Sequence, residues 1–558
     1  ELRMLAIAKG RTDPSNLEQW EATEYLNETM ALNLELLFPG DTEAERIEGG
    51  PHRESNIRLF RLIASEIGPG SLKEDVVSEI EQICAQRPIM IKRVTRMVDM
   101  ASRIPKTDGL DRYDARLEVF RRAFAGPTPL TESKPSPAEY RRMIEEADPE
   151  VLTGEARAFA AAVNDTGLVC PAHAVLLRRL RKLDPSLVGE ALGVNAVGQA
   201  ALDEHWELVS RLIKVAVLPT TAQCIYGLAR ALERGVFSRQ AVTAGLQRII
   251  ELDLQSSVRR ELLARRQGYD GVTANSILLA GVLSVIGQPL GIGQGRNPTC
   301  QAARGMSMWA QHQPGYLFDL LISAARDGLV EMQFEGEWLR SNELSGGLMS
   351  RIDHDLDAVS IVLVPHLDRL YDEMMRRVGV RDDDGHKWVN PALYGRQVPN
   401  GFASVFQDRA QTTVAAYEDF VRRFYATHHP SYTDVHELMH PNPVGICVTN
   451  SHSSYLGPHA VTLLRVAEDP DGVLRAYFFN PNNEGRQDWG DGIRPSIREH
   501  GEIEGESSLP FHEFTSRLYA FHYNPYEEGD SYAVPQDTIA EISKLARESW
   551  GKAFVWKD

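Results

Sequence analysis

His459-Ala-Val-Thr-Leu-Leu-Arg-Val466, a turn at Asp471-Gly472, and Val473-Leu-Arg-Ala-Tyr-Phe-Phe-Asn480 make up the stretch on which the fold assignment turns. Apolar, β-branched and aromatic residues fill both arms, and Asp-Gly supplies the backbone freedom that a tight hairpin requires, so the spacing predicts two antiparallel strands. His459 and Asn480 then sit at the same open end. An Asn carbonyl placed there can accept a hydrogen bond from one imidazole nitrogen and aim the other nitrogen at a reacting group. The apolar run 444–449 predicts a neighbouring strand, and 519–523 is the candidate fourth.

Upstream, the glycine-rich loop Gly291-Ile-Gly-Gln-Gly-Arg-Asn-Pro-Thr299 leads into Cys300-Gln-Ala-Ala-Arg-Gly-Met-Ser-Met-Trp-Ala310. The small and apolar residues of the second segment favour a helix, which puts the Cys300 sulfur at a helix N-terminus, where a thiolate is stabilised. Gln294 stands on the loop before it. Its side-chain amide is placed to donate to a developing oxyanion beside the backbone N–H of Cys300.

Gln294-Gly295-x4-Cys300, the strand start His459-Ala460-Val461 and the later Asn480 resemble the papain-like cysteine peptidase superfamily. Phe479-Asn480-Pro481-Asn482-Asn483-Glu484-Gly485 and Trp309 resemble the YopT-like effector peptidases, in which Asp stands where this chain has Asn480. Thr299 and Gln301 flank the thiol where papain itself has Gly-Ser-Cys-Trp. The resemblance rests on short motifs between residues 290 and 490 and does not extend to the first half. It implies an α+β unit in which a helix carrying Cys300 packs on an antiparallel sheet carrying His459 and Asn480. It further implies a Cys300–His459–Asn480 triad with Gln294 as oxyanion donor, a protein or peptide substrate, and no cofactor. Asn482 is the reserve third member.

The chemistry implied is acyl transfer through a thioester, with a thiolate–imidazolium pair as the attacking species. Resolution by water makes the enzyme a cysteine peptidase or a glutamine deamidase; resolution by an amine makes it a transglutaminase. The YopT-like flavour suggests a bacterial effector delivered into a reducing compartment. A reading from a different class is a non-enzymatic helical protein that binds a host or partner protein and carries a silent Cys300. A third is a zinc metalloprotease, because His436-Glu437-Leu438-Met439-His440 fits H-E-x-x-H, although Pro430, Pro441 and Pro443 leave little helix to carry it. Cys84, Cys170, Cys224 and Cys447 read as inert core residues. The acidic run Arg381-Asp-Asp-Asp-Gly385 reads as a solvated turn.

The 558 residues carry a formal charge of -18, which disfavours nucleic acid as a partner. Five cysteines, an odd number, argue against a disulfide framework. No apolar run approaches membrane-spanning length. Helical periodicity dominates the first half, which divides into a helical domain at 1–124, a Pro-rich linker at 125–137 and a second helical domain at 138–270. The catalytic unit with a helical insertion then occupies 271–558, with helices expected at 355–378, bent or broken at Pro365, and at 408–426.

Overall fold

The hairpin forms, and it lies inside a larger sheet. Strands Tyr455–Glu468 and Leu474–Phe479 pair antiparallel, with Thr462 opposite Phe479. Pro443–Thr449 pairs on the other side of the long strand, and the full six-stranded order is Gly401–Ser404, Leu518–Tyr523, Pro443–Thr449, Tyr455–Glu468, Leu474–Phe479, Ser507–Pro510. Every adjacent pair is antiparallel. The computed structural model describes residues 2–11, 18–32, 55, 58–60, 62–63, 66, 70–102, 111–264, 271–352, 355–395, 397–406, 411–433, 442–482, 485 and 487–557. The chain is α+β, with a helical N-terminal region ahead of an antiparallel sheet.

Three apolar cores organise the described residues. One lies among helices between Leu5 and Leu168, one runs from Ile89 to Val398 and takes in Leu464 and Phe479 of the sheet, and one lies beneath the sheet from Ala403 to Trp550. The middle core runs through both the 138–270 helices and those that follow, so the boundary expected at 270 does not coincide with a break in packing.

The proline-rich stretch 125–137 does not behave as a spacer either. Pro129 and Pro137 each open a helix, after Thr128 and Ser136 in capping boxes, which is where a proline's missing N–H costs nothing. Thr128 is buried and donates from Oγ1 to Glu155 Oε2 at 3.0 Å, and the Tyr140 hydroxyl donates to the same oxygen at 2.5 Å. Pro365 lies inside one continuous helix, Ala358–Val378, and does not break it. The helix expected at 408–426 is Tyr417–His428, preceded by a short strand, Thr413–Ala415, that pairs parallel with Val555–Lys557.

The thiol helix runs from Cys300 to His312 and is buried from Gln301 to Ala310. Its small residues permit that burial: a Cβ on Gly305 would stand 3.1 Å from the Tyr394 ring. The loop ahead of it is braced by the first helical region. Ile89 N–H donates to Gly291 O at 3.1 Å, and Gln288 Nε2 donates to Arg87 O at 2.7 Å. Gly291 is required by this approach, since a Cβ there would lie 2.7 Å from Arg87 O.

One turn after Cys300, Arg304 is 1% exposed. Its guanidinium donates to Val444 O at 3.0 Å and Val461 O at 3.2 Å, on two neighbouring strands. It also donates to Asn390 Oδ1 at 3.2 Å, to Gln301 Oε1 at 2.5 Å and to the Tyr394 hydroxyl at 3.0 Å. A planar fork with five N–H groups can meet all of these at once; an ammonium cannot. Arg304→Met is expected to lower the unfolding free energy by about 3 kcal/mol or more, through carbonyls left buried and unpaired. Arg304→Lys should lose most of the same amount in urea titration, and a lysine variant as stable as the parent would contradict this account.

Candidate active site

Thr299 does not cap the thiol helix with its side chain, and the first backbone bond of the turn is Ala303 N–H to Thr299 O at 3.1 Å. The helix therefore begins beside the sulfur, where its dipole favours negative charge. Cys300 is half-buried and lines a cavity of about 380 Å³. The other four cysteines are buried, and burial pushes the thiols of Cys84 and Cys224 up to about 12 and that of Cys170 to about 11. Burial likewise raises the Cys447 thiol well above its ordinary value.

His459 lines the same cavity. It stands opposite Ile446 in the long strand, and continuing the register past Phe479 sets Asn480 opposite Val461, a diagonal neighbour of His459 on the same face. The Asn480 amide has one consistent orientation. Its Nδ2 donates to Gln487 Oε1 at 3.2 Å, and its Oδ1 accepts from Asn482 N–H at 3.0 Å. The 2.9 Å contact between His459 Nε2 and Asn480 Oδ1 is therefore an N–H donated by the ring, which leaves Nδ1 as the basic nitrogen. Burial, with Arg304 adding to it, lowers the His459 pKa to about 4 against the hydrogen bond the ring donates to Asn480, so the ring is neutral at pH 7. The thiolate–imidazolium pair expected from the sequence would require this ring to gain a proton at Nδ1.

Gln294 has a different place from the one expected. It is 1% exposed, its Nε2 donates to Asn297 O at 3.1 Å, and it is not among the residues lining the cavity. Its backbone N–H donates to Pro481 O at 2.9 Å, which ties the thiol loop to the segment carrying Asn480. Gly295, at φ +58, supplies the left-handed residue that this loop needs. Asn482 lines the cavity and braces Asn480 through its backbone N–H rather than replacing it.

A second oriented histidine, unforeseen in the sequence, faces the same cavity. His386 Nδ1 lies 2.6 Å from Asp384 Oδ1, and its Nε2 lies 2.9 Å from the Tyr371 hydroxyl. Asp384, expected in a solvated turn, is 5% exposed. Burial works against its charge, but the imidazole, the His386 backbone N–H and the Ser404 hydroxyl overcome that and hold its carboxyl below the usual range. The Asp-Gly-His spacing is the local signal; the burial comes from the packing of Ser404 and Tyr371 around it. Burial also holds the Tyr371 phenol protonated, well above its ordinary range, with the Cys300 sulfur adding to the shift.

His436, Glu437 and His440 lie outside the described residues. Among the described residues, Asp469, Asp471 and His500 bring metal-ligating atoms within 4.8 Å of one another. They sit at the hairpin turn, where Asp469 Oδ2 already faces Arg475 at 3.7 Å and His500 at 3.2 Å. No described helix is long and apolar enough to cross a membrane. Comparison with protein-family models, curated proteins and solved structures returns no match.

Asn480→Asp would set a carboxylate against Nε2 and favour the imidazolium, so the His459 pKa is expected to rise from about 4 toward neutrality, read from the ring resonances in an NMR titration. An unchanged titration would contradict the assigned pairing. Stability should also fall in acid. His173 and His522 are held to about 4 and His428 to about 3 by burial. Between pH 6.5 and those values the unfolded chain binds more protons, so their stabilisation is complete above about 6.5 and is lost as pH falls toward 4. Urea midpoints should drop across that window, and a flat profile would count against it.

Proposed function

We propose that this protein is a thiol-dependent acyl-transfer enzyme, a cysteine peptidase acting on a protein or peptide substrate. The observation that carries the reading is the shared cavity: Cys300 at a helix start and His459 on the sheet line one space, with Asn480 fixing the ring from behind. A helix carrying the thiol, packed on an antiparallel sheet carrying the imidazole and its amide partner, is the arrangement that the papain-like resemblance implies. That agreement supports the reading.

In the proposed cycle, His459 Nδ1 takes the Cys300 proton as the sulfur attacks the carbonyl carbon. A carbon–sulfur bond forms and the carbonyl π pair moves onto oxygen, near the backbone N–H of Cys300. Collapse breaks the carbon–nitrogen bond and His459 returns the proton to the leaving amine; His459 then takes a proton from water as the water oxygen bonds the acyl carbon, the carbon–sulfur bond breaks to release the carboxylic acid, and the proton returns to the Cys300 sulfur. Leu348, Met375, Val448 and Leu456 make the cavity wall largely apolar, which suits an apolar side chain beside the reacting carbonyl.

Iodoacetamide should label Cys300 at least about tenfold faster than Cys447, and His459→Ala should remove most of that advantage. Equal, slow labelling of all five thiols would favour the helical interaction protein instead. Mass spectrometry of a cell-protein mixture incubated with the wild type and with Cys300→Ala would separate cleavage, deamidation and amine incorporation by their mass changes. Cleavage dependent on Cys300 is the expected result.

A further inference from the structure

Gln294 does not line the cavity and its amide nitrogen donates to Asn297 O, which leaves a place on the cavity wall for a further side-chain donor to the acyl oxygen. Hydrogen bonding around His386 identifies a candidate. Gln301 Oε1 accepts from Arg304 and from the Tyr394 hydroxyl, which turns the Gln301 amide nitrogen toward His386 Nε2 at 3.2 Å. An amide NH2 only donates, so Nε2 presents its lone pair, and the ring hydrogen is on Nδ1, donated to Asp384. The Tyr371 hydroxyl converges on that same lone pair at 2.9 Å. Two donors share one acceptor.

The consequence is asymmetric. If the Tyr371 hydrogen turns into the cavity, Nε2 still keeps its bond from Gln301, and an acceptor on a ligand takes the place of Nε2 as partner of the phenol hydrogen. The phenol is thus a donor that a ligand can recruit, held at the cavity wall by a chain that begins at Asp384.

We propose that the Tyr371 hydroxyl donates to the acyl oxygen of the substrate attacked by Cys300, with His386 and Asp384 as its positioning residues. This rests on the reading of Cys300 as nucleophile. In the step concerned, the carbon–sulfur bond forms, the carbonyl pair moves to oxygen, and the Tyr371 hydrogen bonds that oxygen without leaving the phenol; the thiol proton goes to His459. Tyr519 also lines the cavity, but no described group accepts a hydrogen bond from its hydroxyl, so it is not aimed in this way.

The test compares a reaction that makes an oxyanion with one that does not. p-Nitrophenyl acetate acylates the sulfur through a tetrahedral oxyanion and expels p-nitrophenolate; iodoacetamide alkylates it by direct displacement of iodide. Rates are taken for wild type, Tyr371→Phe and Tyr519→Phe, each corrected by subtracting Cys300→Ala, with thermal melts to confirm folding. Tyr371→Phe is expected to slow the acetyl burst about 100-fold while alkylation of Cys300 stays within about threefold, and Tyr519→Phe should not reproduce that split between the two reactions. An unchanged burst in Tyr371→Phe, an equal fall of burst and alkylation, or the loss appearing in Tyr519→Phe instead would overturn the assignment of Tyr371 while leaving Cys300 as nucleophile. A wild type without any Cys300-dependent burst or alkylation would remove both.

Discussion

A buried guanidinium one turn behind Cys300 is the constraint on which the candidate site depends. Arg304 reaches from the thiol helix to the carbonyls of Val444 and Val461 and to the side chains of Asn390, Gln301 and Tyr394. A buried cation is tolerated only where nearly all its donors are used, and using them fixes the helix in depth and rotation against two strands. The sulfur at the helix start and the imidazole two residues before Val461 therefore share one cavity because of a bond made behind both of them. The same guanidinium sets the Gln301 amide, and through it the hydrogen pattern at His386.

Two histidines reach this cavity with different backing. His459 is held by a neutral amide, and His386 by a carboxylate. An amide steers a ring without adding charge, whereas a carboxylate holds the ring hydrogen on Nδ1 and leaves the opposite nitrogen as a fixed acceptor. The two rings thereby differ in which nitrogen is left as acceptor, Nδ1 in His459 and Nε2 in His386. Gln294, expected as an oxyanion donor, also has a structural bond: its N–H on Pro481 O couples the loop before the thiol to the strand end that carries Asn480.

Much of this was legible in the chain. The Asp-Gly turn between two apolar arms placed His459 and Asn480 at one end of a hairpin, and the register carries out that placement. The glycine-rich loop and the small residues after it marked a helix opening at Cys300. What misled were local signals with two meanings. Prolines in the 125–137 stretch read as breaks, yet after a Thr or Ser cap a proline opens a helix. Three aspartates in a row read as solvated, yet Asp384 is bent inward by its own bonds to His386 and Ser404. The edge strands Gly401–Ser404 and Ser507–Pro510 are four residues each, too short for an alternating pattern to stand out.

By itself, the amino-acid sequence determined which segments are helix and strand around the thiol and the hairpin, because periodicity, capping and turn chemistry act between neighbours in the chain. Tertiary structure alone decided that Cys300 and His459, 159 positions apart, line one cavity, that Gln294 is not part of its wall, and that His386 is. Those outcomes depend on how buried donors and acceptors far apart in the chain satisfy one another, and no local pattern records that matching.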